Sequence, residues 1–400
     1  MTSLSRKTKI DLIYFDAGGG HRRAADALSS AIKAEQYPWQ LRLVNLGEVL
    51  SSSDPLKRLT GSSVSDAYNL FLRRGWTRGA GRFLRALQAG LRLERPIHER
   101  ILVRFWRQDT PDLVVSLVPN LDWALRSALR KVSPRAPFVV IPTDMSDLPP
   151  HFWLEEQDQF VIAGTPRLSE QARAVGVPPD QIYSVSGMII QPKFYQPIQP
   201  SPAMLRRRLG LLPRRTTGLV FFGGYGSQAM LQIHAELVKA DLPIQLIYVC
   251  GHNAELMEKL TAAPSQFPKT VLGFTTEVPQ LMRAANFMIG KPGPGSLSEA
   301  FQMGLPVIVK LGQDNLPQER YNVELVRRNK WGIVLQDFRH IGPAVRQMIL
   351  PATYAEFRRN VKRIRNRAVF EIPGILAEIL ARSRRAGSAP TAKPKKLDII

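Results

Sequence analysis

The stretch Gly290–Pro306, GKPGPGSLSEAFQMGLP, decides how the rest of the chain is read. A turn punctuated by glycine and proline opens directly onto a helical pattern that ends near Gly304, and a new apolar strand follows at Val307–Val309. Gly293 and Gly295 let the backbone approach a ligand closely, and Ser296 is expected to cap the helix. Such a turn, with Pro294 between its glycines, gathers free N–H groups and the positive end of a helix dipole on one spot, a seat for phosphate. Glu299 falls one turn into the helix, on the side facing the turn, where a carboxylate can bind a ribose diol. A lone Gly-Pro-Gly turn is as readily a tight connection between strand and helix. Two further glycine turns favour the phosphate reading.

Both follow apolar runs. Lys9–Phe15 reads as a strand that feeds Asp16-Ala-Gly-Gly-Gly-His21, with Gly19 and Gly20 in the turn, and then the helical pattern Arg22–Lys33. Thr217–Phe222 feeds Gly223-Gly224-Tyr225-Gly226-Ser227 and a helix from about Gln228. Strand, glycine turn, helix is the opening of a doubly wound α/β domain, although the dinucleotide fingerprint G-x-G-x-x-G is absent from the first turn. Further strands are predicted at Leu41–Leu46, Asp112–Val118, Ala136–Ile141, Phe160–Ala163 and Gln181–Ser186, then at Ile244–Cys250, Thr270–Leu272 and Asn286–Ile289. The pattern gives two Rossmann-like units, 1–190 and 203–350, joined by a proline-rich stretch, Gly187–Pro202, whose 191–202 portion is the expected hinge. Helices are expected at 351–382, with Tyr354–Leu380 helical and basic, and a disordered tail at 383–400.

Ligands bind such sheets beyond the C-terminal ends of their strands. His21 lies there, and so does the loop Pro142–Trp153, PTDMSDLPPHFW, which carries Asp144, His151 and Trp153.

A chain of 400 residues, 44% hydrophobic, is long enough for two cores. Its single cysteine, Cys250, sits in an apolar run, so no internal disulfide forms and a reducing compartment is expected. The N-terminal MTSLSRKTKIDLIYF reads as a first strand rather than a signal peptide. No uncharged apolar stretch approaches the ~18 residues of a membrane span. The chain is expected to be soluble, or to sit on a membrane without crossing it.

The net charge of +22 points to a polyanionic surface, nucleic acid or an anionic leaflet. Ser51–Gln108 concentrates it: Arg73, Arg74, Arg82 and Arg85 are interleaved with Phe71, Trp76, Phe83 and Leu84, and the pattern continues to Arg107. Amphipathic helices with cationic flanks suit a membrane interface. Ordinary surface helices would give the same spacing. Single-stranded nucleic acid tolerates such a mixture, but no nucleic-acid motif accompanies it.

Several stretches taken together are similar to one family. DAGGGHRRAADAL (16–28) resembles the N-terminal glycine loop of monogalactosyldiacylglycerol synthases and processive diacylglycerol glucosyltransferases. GKPGPGSLSEAFQMGLP (290–306) resembles their donor-binding signature, and GFTTEVPQLMRAANFMI (273–289) and PQERYN (317–322) match the segments on either side. More distantly, the GlcNAc transferase of lipid-linked peptidoglycan synthesis shares the plan. The resemblance implies the GT-B architecture: two doubly wound domains facing across a cleft. It also implies inverting transfer of a hexose from UDP-galactose, UDP-glucose or UDP-GlcNAc to a diacylglycerol-type lipid, on the cytoplasmic face of the plasma membrane, with no nucleic-acid partner.

On this resemblance Gly223, Gly224 and Gly226 lie against the diphosphate, while Gly293, Pro294, Gly295 and Ser296 form its cradle. Glu299 holds the ribose, Gln318 and Glu319 read sugar hydroxyls, and Phe274 lies near the uracil. No metal or other cofactor is implied, and the Asp-x-Asp pair of metal-dependent transferases is absent from the chain. His21 and Asp144 are both candidates for the group that accepts the acceptor's proton, and His21 is equally a candidate to bind the acceptor. Gly19, Gly20, His151 and Trp153 fall on the acceptor side, and the basic segment on the membrane side. The plant enzymes carry His-Pro-x-Trp after the aspartate where this chain has Pro-Pro-His-Phe-Trp. A UDP-GlcNAc-using transferase or epimerase of cell-envelope synthesis and a non-catalytic basic binding protein are the competing readings.

Overall fold

The computed structural model describes residues 6–16, 19–51, 88, 90–312 and 317–388. Residues Arg73, Arg74, Arg82 and Arg85, most of the segment 51–108, and the tail from 389 onward lie outside them.

The first half runs β1 (Thr8–Tyr14), α1 (Gly20–Ala34), β2 (Trp39–Asn45), α2 (Leu46–Ser51), α3 (Arg95–Gln108), β3 (Leu113–Ser116), α4 (Asp122–Val132), β4 (Phe138–Val140), β5 (Phe160–Ala163), α5 (Pro166–Ala174) and β6 (Ile182–Ser184). Its strands form one parallel sheet in the order β2-β1-β3-β4-β5-β6. The second half begins with α6 (Pro202–Arg208) and β7 (Thr216–Phe221), then α7 (Ala229–Ala240), β8 (Ile244–Val249), α8 (Ala254–Ala262), β9 (Lys269–Leu272), α9 (Val278–Ala284) and β10 (Phe287–Gly290). It continues with α10 (Pro294–Gln302), β11 (Val307–Lys310), α11 (Pro317–Arg328), β12 (Gly332–Leu335), α12 (Ile341–Met348), α13 (Pro351–Lys362) and α14 (Ala368–Ser388). Its sheet is also parallel, ordered β12-β11-β10-β7-β8-β9.

Covered on both faces by helices, the central strands carry nearly continuous apolar runs, and Leu113–Ser116 and Ile244–Val249 are buried throughout. Each strand order reverses once. In the first sheet the reversal lies between β1 and β3, and in the second between β7 and β10. A crevice opens at such a switch point, and each of the three glycine turns leads out of a strand that borders one.

Three sequence expectations change. A strand not anticipated, β12, joins the edge of the second sheet; a Cβ at Gly332 would fall 1.8 Å from the Val307 carbonyl oxygen, so only glycine lets the two backbones meet. The helix expected over 354–380 is broken after Lys362, where Asn366 accepts from Ala368 N at 3.1 Å and donates to Met188 O at 2.8 Å. Beyond this break α14 returns to the first sheet: Ala368, Ile372, Leu376 and Ile379 share a core with Ile10, Leu12, Leu28 and Ile32. Residues 383–388, expected to be disordered, complete that helix.

The chain therefore passes between the sheets twice, and the two passages are bonded together. Ser186 N donates to Glu371 at 2.8 Å, and Arg367 N to the Ser186 hydroxyl at 2.6 Å.

Candidate active site

The second sheet supplies a cradle. The β7–α7 turn uses Gly223 and Gly226 at positive φ, and it is backed by the β8–α8 turn. His252 N donates to Gly224 O at 2.9 Å, while a Cβ at Gly251 would meet Gly224 O at 2.1 Å and one at Gly226 would meet Cys250 O at 2.8 Å. No larger residue fits this contact. Helix α10 begins at Pro294 with Gly293 as its cap, three residues before the cap expected at Ser296, and there is no side-chain cap hydrogen bond. Its leading N–H groups are left for a ligand.

Lys291 lies between the two turns: a Cβ at Gly293 would stand 3.4 Å from its Cε, and one at Gly223 3.8 Å.

Around this cradle the predicted donor residues converge. Glu299 is buried on α10, and burial pushes its carboxyl up to about 7, outweighing the downward pull of Arg23 and Lys193. Gln318 and Glu319 are buried in the first turn of α11. The Gln318 Oε1 has no hydrogen-bond partner among the described residues, and Asn322 ties this helix to the glycine turn by donating to Pro292 O at 2.8 Å. Phe274, 60% exposed, stacks on His252 at 4.2 Å between ring centroids, and Tyr225 tilts against the same imidazole at 5.8 Å. These rings form a shelf beside the β7–α7 turn.

Across the cleft stand His21 and Asp144. The Nδ1 of His21 is 2.9 Å from Leu117 O and 3.2 Å from the Thr143 hydroxyl. Because a carbonyl only accepts, Nδ1 carries the proton and Nε2 remains an acceptor. Burial lowers the imidazole to about 4, so the ring is neutral at physiological pH.

Asp144 accepts a hydrogen bond from the Trp153 indole at 3.0 Å. Burial raises its carboxyl to about 7 despite that bond; Glu319 pushes it further up, and Lys291 pulls it down. The two influences place the α11 and glycine-turn charges of the second sheet within reach of the first sheet's carboxylate.

Trp153 and His151 differ from expectation. Trp153 has no exposed surface, so it bears on the site through Asp144 rather than by touching a membrane or acceptor. His151 is at the surface with φ at 61°, and its Nδ1 faces Leu154 O at 3.2 Å. Both are set by Asp147, a buried carboxylate that accepts from His151 N at 3.0 Å and Trp153 N at 2.7 Å. Gly19 caps α1 at positive φ, and its carbonyl accepts from Arg23 Nε at 3.0 Å.

Sequence reading missed Lys291, Arg23, Lys193 and Asp147. Lys291, Arg23 and Asp147 stand inside stretches already singled out for the site, whereas Lys193, in the expected hinge, carried no such signal.

A buried carboxylate awaiting a ligand is costly. The folded-state value of Glu299 lies above its unfolded one, so the stability it contributes is present at low pH and lost as pH rises through about 7. Glu299→Gln should therefore stabilise the unliganded protein at pH 8, by up to about 3 kcal/mol, and have little effect at pH 4. Thermal melts at the two pH values test this, and an equal effect at both would remove the burial argument.

Residues 219–349 match the Glycosyltransferase family 28 C-terminal domain. The monogalactosyldiacylglycerol synthase of Spinacia oleracea is 26% identical over 93% of this chain and 72% of its own length. The processive diacylglycerol beta-glucosyltransferase of Bacillus subtilis is 27% identical over 71% of this chain and 72% of its own. Among solved structures, MurG of Acinetobacter baumannii superposes over 93% of this chain and 99% of that one with a TM-score of 0.59 at 11% identity, a likeness of fold. Two parallel six-stranded sheets facing across a cleft are the GT-B arrangement, residues 219–349 are a family 28 C-terminal domain, and the chain is a glycosyltransferase.

Proposed function

We propose that the protein transfers a hexose from a UDP-sugar to a diacylglycerol-type lipid, with inversion and without a metal, at the inner face of the plasma membrane. The observation that carries this reading is the opposition of Asp144 and His21 to the cradle of Gly223–Gly226, Lys291 and Glu299. In that reading the diphosphate lies on the α10 N-terminus and Lys291, the ribose on Glu299, and the sugar hydroxyls on Gln318 and Glu319. The uracil rests on Phe274.

Asp144 takes the acceptor's proton, and the neutral His21 imidazole packs beside the acceptor and positions its hydroxyl. The hydroxyl oxygen bonds the anomeric carbon as the bond to the diphosphate oxygen breaks, and UDP leaves with its negative charge on N–H donors, the helix dipole and Lys291. Closure between the sheets keeps water from competing.

The lipid glycosyltransferases among the relatives support the lipid acceptor, and so does the surface within the basic segment. Leu93 is 83% exposed and Ile97 45% exposed, with Arg92, Arg100 and Arg104 also at the surface. Gln88 joins this surface to the acceptor side, donating to Asn120 Oδ1 at 3.2 Å. No helix among the described residues is long and apolar enough to cross a membrane, so the proposed contact is peripheral.

The test is UDP release by the purified protein on anionic vesicles containing diacylglycerol, with UDP-galactose, UDP-glucose and UDP-GlcNAc in turn. Lipid-dependent release with one donor is expected. Release independent of lipid would replace the acceptor, and failure to bind UDP would defeat the donor assignment.

A further inference from the structure

At the end of the second sheet opposite its glycine turns, the segment from α6 to the start of β7 presents arginine and aliphatic side chains on a braced turn. No Asp or Glu occurs between Asp180 and Glu236, while Lys193, Arg206, Arg207, Arg208, Arg214 and Arg215 all fall in that interval. Arg207, Arg208 and Arg214 are exposed, and Met204 and Leu212 are each 49% exposed beside them. Exposed arginine alone would be a solvated face.

What sets this turn apart is how firmly it is held. The buried Arg206 donates to Ala284 O at 2.7 Å, Pro213 O at 3.0 Å and Asn286 Oδ1 at 2.8 Å, with no carboxylate among these partners. Gln245, fully buried, clamps the backbone of Leu212 from both sides, accepting from its N–H at 2.9 Å and donating to its carbonyl at 2.8 Å. Thr270 donates to Leu209 O at 2.6 Å. Two buried polar side chains thus fix a loop whose own leucine points into solvent. The loop leads into β7, so it lies at the opposite edge of the sheet from the glycine turns, and donor binding does not account for it.

We infer that this turn is a membrane-contacting surface, separate from the one beside α3, that takes an anionic leaflet: Leu212 and Met204 enter the interfacial region while Arg207, Arg208 and Arg214 meet lipid phosphates. Charge complementarity with such a leaflet and the two aliphatic tips favour lipid over nucleic acid, whose backbone offers nothing to an exposed leucine. Glu277, which shares a cavity wall with Arg208, is the acidic side chain beside the patch. The inference does not depend on which sugar or acceptor the enzyme uses.

The test uses the full chain with phosphatidylcholine vesicles, with and without phosphatidylglycerol. Arg207→Glu/Arg208→Glu/Arg214→Glu should lower binding to the anionic vesicles by roughly a hundredfold, with the thermal melt confirming that the variant folds. Leu212→Trp is the reporter if it does not: its added fluorescence should shift to the blue on anionic vesicles and stay unshifted on neutral ones. An unshifted reporter on vesicles that sediment the protein would overturn the inference. So would a triple variant that loses heparin and tRNA binding yet keeps its vesicle binding, since the patch would then be a polyanion site.

Discussion

Below about pH 7, kcat at saturating donor should fall about tenfold per pH unit, the mark of a base that must be ionised and titrates where Asp144 does. The sign follows from the chemistry: the protonated carboxyl cannot accept the hydroxyl proton, so activity is present above its value and lost below it. His21 offers a different curve. Its imidazole sits near 4, so a rate controlled by His21 would stay flat from pH 8 down to about 5. Saturating donor is needed because Glu299 also titrates near 7 and its ionisation bears on donor binding.

Asp144→Asn keeps the indole hydrogen bond from Trp153 but removes the proton acceptor, and should cost 10²–10⁴ in kcat, the range for a general base. His21→Ala should weaken the acceptor's KM and lower kcat less, with the midpoint still near 7. A midpoint near 4, or Asp144→Asn activity within threefold of the parent, would transfer the base role to His21 or to neither.

Trp153→Phe probes the support beneath this carboxylate. It removes the indole donor at 3.0 Å and should move the midpoint above 7, since that hydrogen bond favours the ionised form.

How much of this was legible in the sequence depends on the range of the interaction. Strands such as Phe160–Ala163 and Ile244–Val249 announced themselves because a parallel strand buried on both faces must be apolar at successive positions. The glycine turns were legible for a related reason: where a Cβ would fall within 3 Å of neighbouring backbone, as at Gly226 and Gly251, no side chain is admitted.

β12 was not legible, because three half-buried residues and one buried leucine, soon after a lysine at positive φ, carry little periodicity of their own. Nor was the return of α14, whose apolar face looks like any amphipathic helix until the first sheet is there to receive it. The tuning of Asp144 by Trp153, Glu319 and Lys291 is a property of three segments brought together from distant parts of the chain. His21 and Asp144 could be named from their position at the sheet edge, but only the assembled cleft gives them different protonation.

Lys291 is the residue whose removal should cost most on the donor side. Its aliphatic stem lies against both glycine turns, and its charge reaches Asp144 across the cleft. In the proposed transfer the diphosphate gains charge as the anomeric bond breaks, so a fixed cation there stabilises the transition state more than the bound donor. Lys291→Met keeps the stem and deletes the charge. It should lower kcat by 10²–10³, as loss of one preorganised donor to a developing anion does, while donor KM rises by less than tenfold.

A second readout separates this role from simple packing. Lys291 holds Asp144 down, so without it the pH midpoint of kcat should move above 7. Lys291→Arg restores the charge but must fit a broader head beside Gly223 and Gly293, so it should recover the midpoint fully and the rate only in part. A Lys291→Met enzyme with kcat within threefold of the parent and an unmoved midpoint would make this lysine a solvated neighbour of the cradle. The leaving charge would then rest on the N–H groups of the α10 turn alone.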